Sequence, residues 1–304
     1  MKEQKQKRLG GSLLLAATAL IWGVSFVAQS MSAELVGPFT FNAVRTLLGG
    51  LVLILWLLAG KGKKTQRERS KGESRQLIAG GVCCGLALCA ASNLQQIGIA
   101  YTTVGKAGFI TAMYIVIVPV FGLFLGRRPG LFAWVGVAFG VMGLYFLCMT
   151  ESFSVGRGDL CVMACALVFA VHILLIDYFS PRTDSIKLSC VQFLVCGLVS
   201  GVFALVWEEI KLSALLSAWA PILYAGVLSC GVGYTLQAVG QKSLDPTVAS
   251  LILSLESVFS ALAGFVLLGQ RLTVRELLGC LFMSAAIVLA QLPARKKAKR
   301  FENP

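Results

Sequence analysis

A duplicated stretch of sequence decides the fold of this chain. Residues 19–23 are Ala-Leu-Ile-Trp-Gly, and residues 166–170, 147 positions later, are Ala-Leu-Val-Phe-Ala. Near the ends of the two copies the offset is 143, where Gly-Arg-Arg at 126–128 aligns with Gly-Gln-Arg at 269–271. The chain therefore contains two related halves, and we expect each half to fold into the same set of elements.

The same duplication aligns polar residues and glycines inside the two halves. The pairs, at offsets of 142 or 147, are Arg45 with Gln192, Gln95 with Gln237, and Gly98 with Gly240. We expect such aligned positions to occupy equivalent places in the fold, even where the side chains differ.

Composition places both halves in a membrane. Of the 304 residues, 57% are hydrophobic and only 13% are charged, and the mean hydropathy is +0.81. Soluble domains carry roughly 25% charged residues. Apolar stretches of about 20 residues recur between short polar joints, and each is long enough to cross ~30 Å of hydrocarbon. The sequence therefore predicts an all-α integral membrane protein.

Ten transmembrane helices are predicted, five in each half. The first five span about 9–30, 37–59, 77–99, 104–125 and 130–149, and the second five span about 159–179, 186–207, 217–240, 247–268 and 274–292. Because each half crosses the membrane an odd number of times, the two halves must have opposite orientations. We therefore predict two inverted five-helix repeats, 9–149 and 159–292, with basic tails at 1–8 and 293–304.

Positive charge is concentrated on one side of this predicted topology. If the N-terminus is cytoplasmic, 21 Lys and Arg residues lie on the inner side, five lie on the outer side, and Arg45 lies within a helix. The formal net charge of +13 would also suit nucleic-acid binding, but this asymmetry is the positive-inside pattern of membrane proteins. We therefore expect both termini to be cytoplasmic, with the lipid bilayer and not nucleic acid as the surrounding partner.

The sequence indicates no cofactor and no metal. All ten cysteines fall inside apolar stretches, where a cysteine acts as a small apolar residue. Only Cys161 and Cys165 lie near the single histidine, His172, and they make a weak metal site. There is no P-loop, and no clustered catalytic pattern such as DxxxD or HExxH occurs. Neither a nucleotide-driven pump nor a membrane-embedded enzyme is therefore favoured.

Several motifs follow one another in the order of a known family. They are Trp-Gly-Val-Ser-Phe at 22–26, Pro38 followed by Arg45, Asn-Leu-Gln-Gln-Ile-Gly-Ile-Ala-Tyr-Thr-Thr at 93–103, and the half-endings Leu-Gly-Arg-Arg at 125–128 and Leu-Gly-Gln-Arg at 268–271. In the order of these motifs and in their duplication, the chain resembles two tandem EamA domains over about 9–292. Such tandem domains make up the bacterial ten-helix members of the drug/metabolite transporter superfamily. This resemblance implies export of amino acids or related small metabolites across the inner membrane. Gln270 departs from the family's usual Gly-Glu-Arg ending, but it lies at a helix end.

Three ionisable residues are predicted inside the membrane, where a charge costs roughly 2.5–3.5 kcal/mol and marks a functional candidate. Glu256, near the middle of the ninth helix, is either a proton or cation site or the structural partner of a buried cation such as Arg45. Arg45 either binds a substrate carboxylate, which suits a guanidinium, or extends to the outer interface. His172 either titrates on the pathway or is a hydrogen-bonded packing residue.

Uncharged amides and aromatic residues complete the predicted substrate pathway. Amides either hydrogen-bond a polar substrate or join helices, and aromatic rings either line a cavity or anchor helix ends. The full set of candidates is Trp22, Arg45, Asn93, Gln95, Tyr114, His172, Gln192, Tyr234, Gln237 and Glu256. We expect a central cavity lined by helices of both halves, reached by Trp22, Gln95, Tyr234 and Gln237.

Inverted repeats that meet at a central site are a transporter design, because the two halves can rock and open the site to each side in turn. The sequence therefore predicts a secondary exporter of small polar metabolites, driven by protons or another ion gradient, or by the substrate's own gradient. A carrier of nucleotide-sugar, lipid-linked or drug-like substrates is the main alternative, although anionic substrates of that size favour several basic residues in the core. The glycine pairs Gly81/Gly85 and Gly136/Gly140 fit either close packing within the chain or a homodimer contact.

Overall fold

The computed structural model describes residues 2–59, 71–102, 104–148, 156–268 and 273–291, and these ranges contain helices and no strands. The basic tail at 293–304, most of the basic loop at 60–76, and Gln270 lie outside the described residues. Nine of the described helices are long and apolar enough to cross a membrane, and Leu131–Leu147 is a shorter apolar helix. The prediction of an all-α membrane protein is confirmed.

The helices follow the predicted order along the chain. They are α1 Lys2–Ala33, α2 Pro38–Leu58, α3 Lys71–Ile99, α4 Val104–Ala112 with Tyr114–Phe124, α5 Leu131–Cys148, α6 Arg157–Phe179, α7 Ser185–Trp207, α8 Trp219–Leu223 continued by Tyr224–Tyr234 and Thr235–Gly240, α9 Pro246–Leu253 with Leu255–Leu268, and α10 Val274–Gln291. A short helix, Leu212–Ser217, precedes α8. Helices α1 and α3 begin several residues before the predicted starts at 9 and 77, because Lys, Arg, Glu and Gln are good helix formers and extend each helix beyond its apolar part.

Helices α4 and α9, predicted to be continuous, are each broken near the middle. The break in α4 is at Met113 and the break in α9 is at Ser254. The hydroxyl of Ser254 donates to the carbonyl of Leu251 at 2.8 Å, and such a local hydrogen bond competes with the regular helix pattern. In α4, Pro119 removes a backbone N–H six residues beyond the break. Corresponding helices of the two halves are thus interrupted at nearly aligned positions.

The middle of α8, Tyr224–Tyr234, is a π-helix, whereas its counterpart α3 is a continuous α-helix. The π-helical segment contains three glycines, which weaken the preference for a regular α-helix. Two of its carbonyls accept hydrogen bonds from α1. Trp22 Nε1 donates to the carbonyl of Ser229 at 3.3 Å, and Thr18 Oγ1 donates to that of Gly233 at 3.2 Å. These tertiary contacts help to hold the irregular segment in place.

Helices of the two halves pack in reciprocal pairs. Helix α1 packs against α8 and α9, and its counterpart α6 packs against α3 and α4. Helix α2 packs against α7, and α5 packs against α10. Each contact is therefore matched by a contact between the aligned helices, which is the pattern expected of a two-fold relation. The relation itself, an axis in the membrane plane, stays a prediction.

Two close helix crossings occur at aligned positions of the two halves. A Cβ atom on Gly98 of α3 would lie 3.0 Å from the carbonyl oxygen of Gly158 in α6. A Cβ atom on Gly240 of α8 would lie 2.9 Å from the carbonyl oxygen of Gly11 in α1. Glycine is needed because any side chain would hold the two backbones apart. Gly98 aligns with Gly240, and Gly11 aligns with Gly158 at an offset of 147, so the crossings are aligned contacts.

The glycines of the GxxxG pairs serve packing within the chain. Gly85 of α3 lies against Val195 of α7, where an added Cβ would be 2.7 Å from the valine Cβ. Gly136 of α5 lies against Ala286 of α10, where an added Cβ would be 2.8 Å from the alanine carbonyl oxygen. The close-packing alternative therefore explains these glycines, and a homodimer gains no support from them.

Glu208, the residue after α7, fixes one end of the α2–α7 pair. Its carboxylate accepts hydrogen bonds from the backbone N–H groups of Phe39 and Thr40, at 2.8 Å each, and from the Thr40 hydroxyl at 2.7 Å. A carboxylate in this position satisfies free N–H groups at the start of α2 and complements the helix dipole. Gly37 leaves room for it, since a Cβ there would lie 2.4 Å from the carboxylate carbon.

Candidate functional site

A central cavity of about 40 Å³ lies between the two halves, lined by α1–α4 of the first half and by α6, α8 and α9 of the second. Eight of the ten candidate residues line it: Trp22, Arg45, Gln95, Tyr114, His172, Tyr234, Gln237 and Glu256. All of these except Trp22 are buried. The cavity is therefore largely closed to solvent in this conformation.

The other two candidates, Asn93 and Gln192, lie behind the lining. The Nδ2 group of Asn93 donates to the carbonyl of Cys89 at 2.8 Å and to Ser200 Oγ at 2.9 Å. The Oε1 atom of Gln192 lies 3.1 Å from Nε2 of His172. These amides make hydrogen bonds within the protein and position the residues in front of them.

Half of the described lining residues were not among the candidates predicted from the sequence. On α1, Ser25, Phe26 and Gln29 line the cavity together with Trp22. Their three- and four-residue spacing places all four on one face of a helix. Once Trp22 is predicted to line the cavity, this spacing therefore predicts the other three. Five further lining residues were not predicted: Thr111, Phe169, Ile173, Ser229 and Leu253.

Tyr114 and Glu256 join the two broken helices across the cavity. Tyr114 is the first residue after the break in α4, and Glu256 is the second residue after the break in α9. The Tyr114 hydroxyl donates to Glu256 Oε1 at 2.9 Å, and both side chains are buried. The two residues align at an offset of 142, the offset that relates Gln95 to Gln237. The shared offset is thus the signal in the sequence that relates these two residues.

Arg45 lies in the cavity lining with 3% of its surface exposed, so the alternative that it extends to the outer interface is wrong. Its Nε donates to Asn42 Oδ1 at 2.7 Å, and its guanidinium carbon lies 5.2 Å from the centre of the Phe41 ring. Asn42 is itself held by a 3.0 Å hydrogen bond to Asn93 Oδ1. Within the described part of the chain, the terminal nitrogens of Arg45 have no hydrogen-bond partner.

Arg45 and Glu256 do not form an ion pair, although both line the cavity. The alternative in which Glu256 is the ion-pair partner of Arg45 is therefore not observed among the described residues. Among the described residues, no cation lies within salt-bridge distance of Glu256, and no carboxylate lies within that distance of Arg45. Each charge is held instead by one neutral neighbour, Tyr114 or Asn42.

Aromatic side chains form one side of the cavity. The ring centres of Trp22 and Tyr234 are 4.5 Å apart. His172 meets Tyr234 edge-on, with 5.9 Å between ring centres, and Phe169 meets His172 in the same way at 6.5 Å. The electron-rich faces of such rings attract cations. Aromatic faces and the Glu256 carboxylate therefore border the same space.

Several buried polar atoms around the cavity lack a protein partner. They are Ser25 Oγ, Gln29 Oε1, His172 Nδ1 and Gln237 Oε1, and all four residues line the cavity. Buried polar groups are hydrogen-bonded in nearly all native structures, so these atoms are available to water or to a polar ligand. Over the ranges the structure covers, no group of three His, Cys, Asp or Glu side chains is arranged to hold a metal ion.

Comparison with known proteins gives one consistent result. The family model of the EamA-like transporter family matches residues 9–149 and 156–292. An uncharacterized transporter of Archaeoglobus fulgidus is 28% identical over 94% of this chain and 87% of its own length. The threonine/homoserine exporter RhtA of Escherichia coli is 27% identical over 94% and 92% of the two chains. A solved crystal structure at 19% identity covers 94% of this chain and 97% of that chain with a TM-score of 0.76, which shows that the fold is shared.

The matched family segments cover nearly all of the described helices, and the cavity lies between those segments. The family and the names of the relatives indicate a transporter, not an enzyme. Together with the apolar helices, they identify a multi-pass membrane protein. The chain belongs to the EamA-like transporter family, within the drug/metabolite transporter superfamily.

Proposed function

We propose that this transporter exports a small zwitterionic metabolite, an amino acid or a close derivative, across the cytoplasmic membrane. One observation supports the proposal above all. A buried guanidinium, Arg45, and a buried carboxylate, Glu256, line the same cavity without pairing with each other. An amino acid carries a carboxylate and an ammonium group, and it would supply the missing partner to each.

The cost of buried charge explains why such a substrate fits. An uncompensated charge in a low-dielectric interior is unfavourable by several kcal/mol, so a ligand that neutralises both residues gains affinity from each. The terminal nitrogens of Arg45 suit the two oxygens of a carboxylate. Glu256 and the faces of Trp22 and Tyr234 suit an ammonium group. The unpartnered Gln237 Oε1 offers an acceptor for a further polar group of the substrate.

The present conformation supports transport by alternating access. A cavity of about 40 Å³ has room for only a few water molecules, so helices must separate before a metabolite can enter. The broken helices α4 and α9 meet at the hydrogen bond from Tyr114 to Glu256, and discontinuous helices at a repeat interface are where transporters place their sites. We propose that both termini face the cytoplasm, which the distribution of Lys and Arg favours.

Proton coupling is part of the proposal. A buried carboxylate without a cation partner is unfavourable in its charged form, and it can be neutralised by a proton or by a substrate ammonium group. Glu256 would bind the proton when the cavity lacks substrate and release it when substrate arrives. Exchange of proton for substrate on one carboxylate would couple export to proton entry.

The relatives and the lining support an amino acid over larger anionic substrates. RhtA is named a threonine/homoserine exporter, and this identifies the first substrates to test. Nucleotide sugars carry two phosphates and favour several basic residues, whereas among the described residues Arg45 is the only Lys or Arg that lines the cavity. Neutral drug-like substrates would leave both charges unpaired.

Reconstituted liposomes would test this proposal. Uptake is measured with and without an imposed pH gradient for labelled threonine, homoserine, other amino acids, simple amines and a nucleotide sugar. We expect saturable transport of at least one amino acid, accelerated by the gradient, and no transport of the nucleotide sugar. Amine transport that is unaffected by competing amino acids would show that the carboxylate-binding role of Arg45 is wrong.

A further inference from the structure

A lipid-facing groove separate from the cavity lies between α4 of the first half and α6 of the second. It has a volume of about 430 Å³, and its lining includes Phe121, Phe124, Val171 and Tyr178. Phe124 is 85% exposed on the isolated chain. Because the protein spans a membrane, lipid must cover such an apolar surface, and acyl chains are the part of a lipid that matches it.

Basic side chains surround one end of this groove. The chain turns back after α4 at Gly126, whose φ of +74° is a conformation that favours glycine. The turn brings Arg127 to Asp177 of α6, with which it forms an ion pair. Arg182 lies over the face of Tyr178, with its guanidinium carbon 4.0 Å from the ring centre.

At this end of the groove, the arginines outnumber the carboxylates that form ion pairs with them. Arg128 and Arg182 are both exposed, and neither forms an ion pair with a described residue. Of the nearby carboxylates, Asp177 is taken by Arg127, and Asp184 and Asp245 accept backbone N–H groups at the starts of α7 and α9. Three arginines, Arg127, Arg128 and Arg182, therefore lie at this end of the groove, and of these only Arg127 has a described carboxylate within ion-pair distance.

A second groove supplies an internal comparison. It lies between α2 and α7, has a volume of about 320 Å³, and is also apolar, with Val202 and Ile210 in its lining. Its neighbouring charges are Glu208, which caps α2, and Glu209, which pairs with Lys211 at 3.1 Å. The two grooves are thus alike in lining and opposite in the charge beside them.

We propose that the α4–α6 groove is a binding site for one anionic phospholipid, with an acyl chain along Phe121 and Val171 and the phosphate beside Arg128 and Arg182. Basic pockets between helices on the cytoplasmic side of membrane proteins bind anionic headgroups, and the positive-inside count places this end there. The lipid would lie between helices of the two halves. The proposal does not depend on the identity of the transported substrate.

The test is lipid binding by the intact protein in detergent, followed by native mass spectrometry. Phosphatidylglycerol and phosphatidylcholine with identical acyl chains are added in equal amounts. We expect one phosphatidylglycerol to be retained in preference to phosphatidylcholine. Two basic residues near a membrane surface are together worth about 2 kcal/mol, or about 30-fold in affinity. In the Arg128→Gln/Arg182→Gln protein, the affinity for phosphatidylglycerol should therefore fall by up to that factor, and the affinity for phosphatidylcholine should change little.

Matched tryptophan variants test the position of the acyl chain. Val171→Trp fills the α4–α6 groove, and Val202→Trp fills the α2–α7 groove, each at an exposed valine. We expect Val171→Trp to abolish the preference and Val202→Trp to retain it. Equal loss in both variants, or no preference in the unsubstituted protein, would overturn the proposal. Circular dichroism confirms that each variant is folded before binding is compared.

A soluble headgroup separates a lipid site from a free-phosphate site. Millimolar glycerol phosphate, which has no acyl chain, should leave phosphatidylglycerol binding unchanged because the groove contributes to affinity. Full displacement by glycerol phosphate would mean that the arginines bind phosphate alone, and the lipid assignment would be wrong.

Discussion

The two halves of the molecule carry different chemistry at aligned positions. Tyr114 of the first half and Glu256 of the second both follow the break in the fourth helix of their half, and one is a phenol where the other is a carboxylate. Arg45 and Gln192 are also aligned, yet Arg45 lines the cavity whereas Gln192 contacts His172 from behind. The duplicated helices enclose the cavity, and a few substitutions give one half a cation and the other an anion.

This difference has a physical meaning for a carrier with related halves. A cavity with identical residues on both sides would accept a zwitterion in two opposite orientations. With Arg45 in one half and Glu256 in the other, only one orientation satisfies both charges. We therefore infer that divergence between the halves fixes the orientation of the substrate, and the following variants test that inference.

Arg45→Gln should have the largest effect, because it removes the cation and leaves the amide found at the aligned position. Loss of one partner of a buried charge pair costs about 2–5 kcal/mol, so affinity for the transported amino acid should fall about 30-fold or more. The measurement is substrate protection against thermal unfolding. A matched control adds Gln192→Arg to this variant. It should not restore affinity, because residue 192 lies behind the lining, and restoration would show that the halves are interchangeable.

Glu256→Gln should have the next largest effect, on driven transport. A glutamine resembles the protonated acid and cannot release a proton, so gradient-driven flux should fall by about tenfold or more, while exchange of internal for external substrate remains measurable at saturating substrate. Counterflow and pH-driven uptake in the same liposomes separate these two activities. Normal acceleration by a pH gradient in well-folded Glu256→Gln protein would exclude a coupling role for this residue.

Tyr114→Phe should have a smaller effect than Glu256→Gln, because it removes only the hydrogen bond to the carboxylate. A hydrogen bond of this kind is worth about 1 kcal/mol, which corresponds to about fivefold in driven uptake. Uptake rates of the two variants are compared at equal amounts of reconstituted protein. If Tyr114→Phe were the more damaging change, the tyrosine itself would be the main polar contact of the substrate.

Gln237→Ala and Gln95→Ala should have the smallest effects, and these should differ. Gln95 already donates to Thr111 Oγ1 at 3.3 Å, whereas Gln237 Oε1 has no partner. An acceptor that is free for substrate contributes about 0.5 kcal/mol or more, so Gln237→Ala should weaken binding roughly two- to threefold and Gln95→Ala by less. Competition between labelled and unlabelled amino acids measures both values. The opposite order would show that the first half supplies the contact.

Much of the fold could be predicted from hydropathy and duplication. Apolar stretches bounded by turn residues located the ten helices, because burial in lipid leaves a strong signal in composition. The break at Met113, the break at Ser254 and the π-helical segment of α8 could not be predicted in the same way. These features depend on tertiary contacts, such as the hydrogen bond from Trp22 to the carbonyl of Ser229, that no local pattern reports.

The candidate site was predictable only in part, for a related reason. Intramembrane polarity identified Arg45 and Glu256, but it did not distinguish residues that face the cavity from residues one layer behind it. Asn93 and Gln192 are as polar and as buried as Gln95 and Gln237, and only the positions of neighbouring helices separate them. The pairing of Tyr114 with Glu256 was available from the 142-residue offset, since aligned residues near a two-fold axis lie close together.

The hydrogen bonds of Glu208 give the α2–α7 pair a pivot. They attach the start of α2 to the end of α7, and farther along, the helices are held by side-chain packing and by single hydrogen bonds such as that from Asn42 to Asn93. Helix α2 has 21 residues, so it extends roughly 30 Å from that attachment. By geometry alone, a rotation of about 5° there would move the far end of the helix by roughly 3 Å, about the width of a water molecule. The pair would thus act as a lever, in which a small change of angle at Glu208 becomes an opening large enough to admit solvent at the other end.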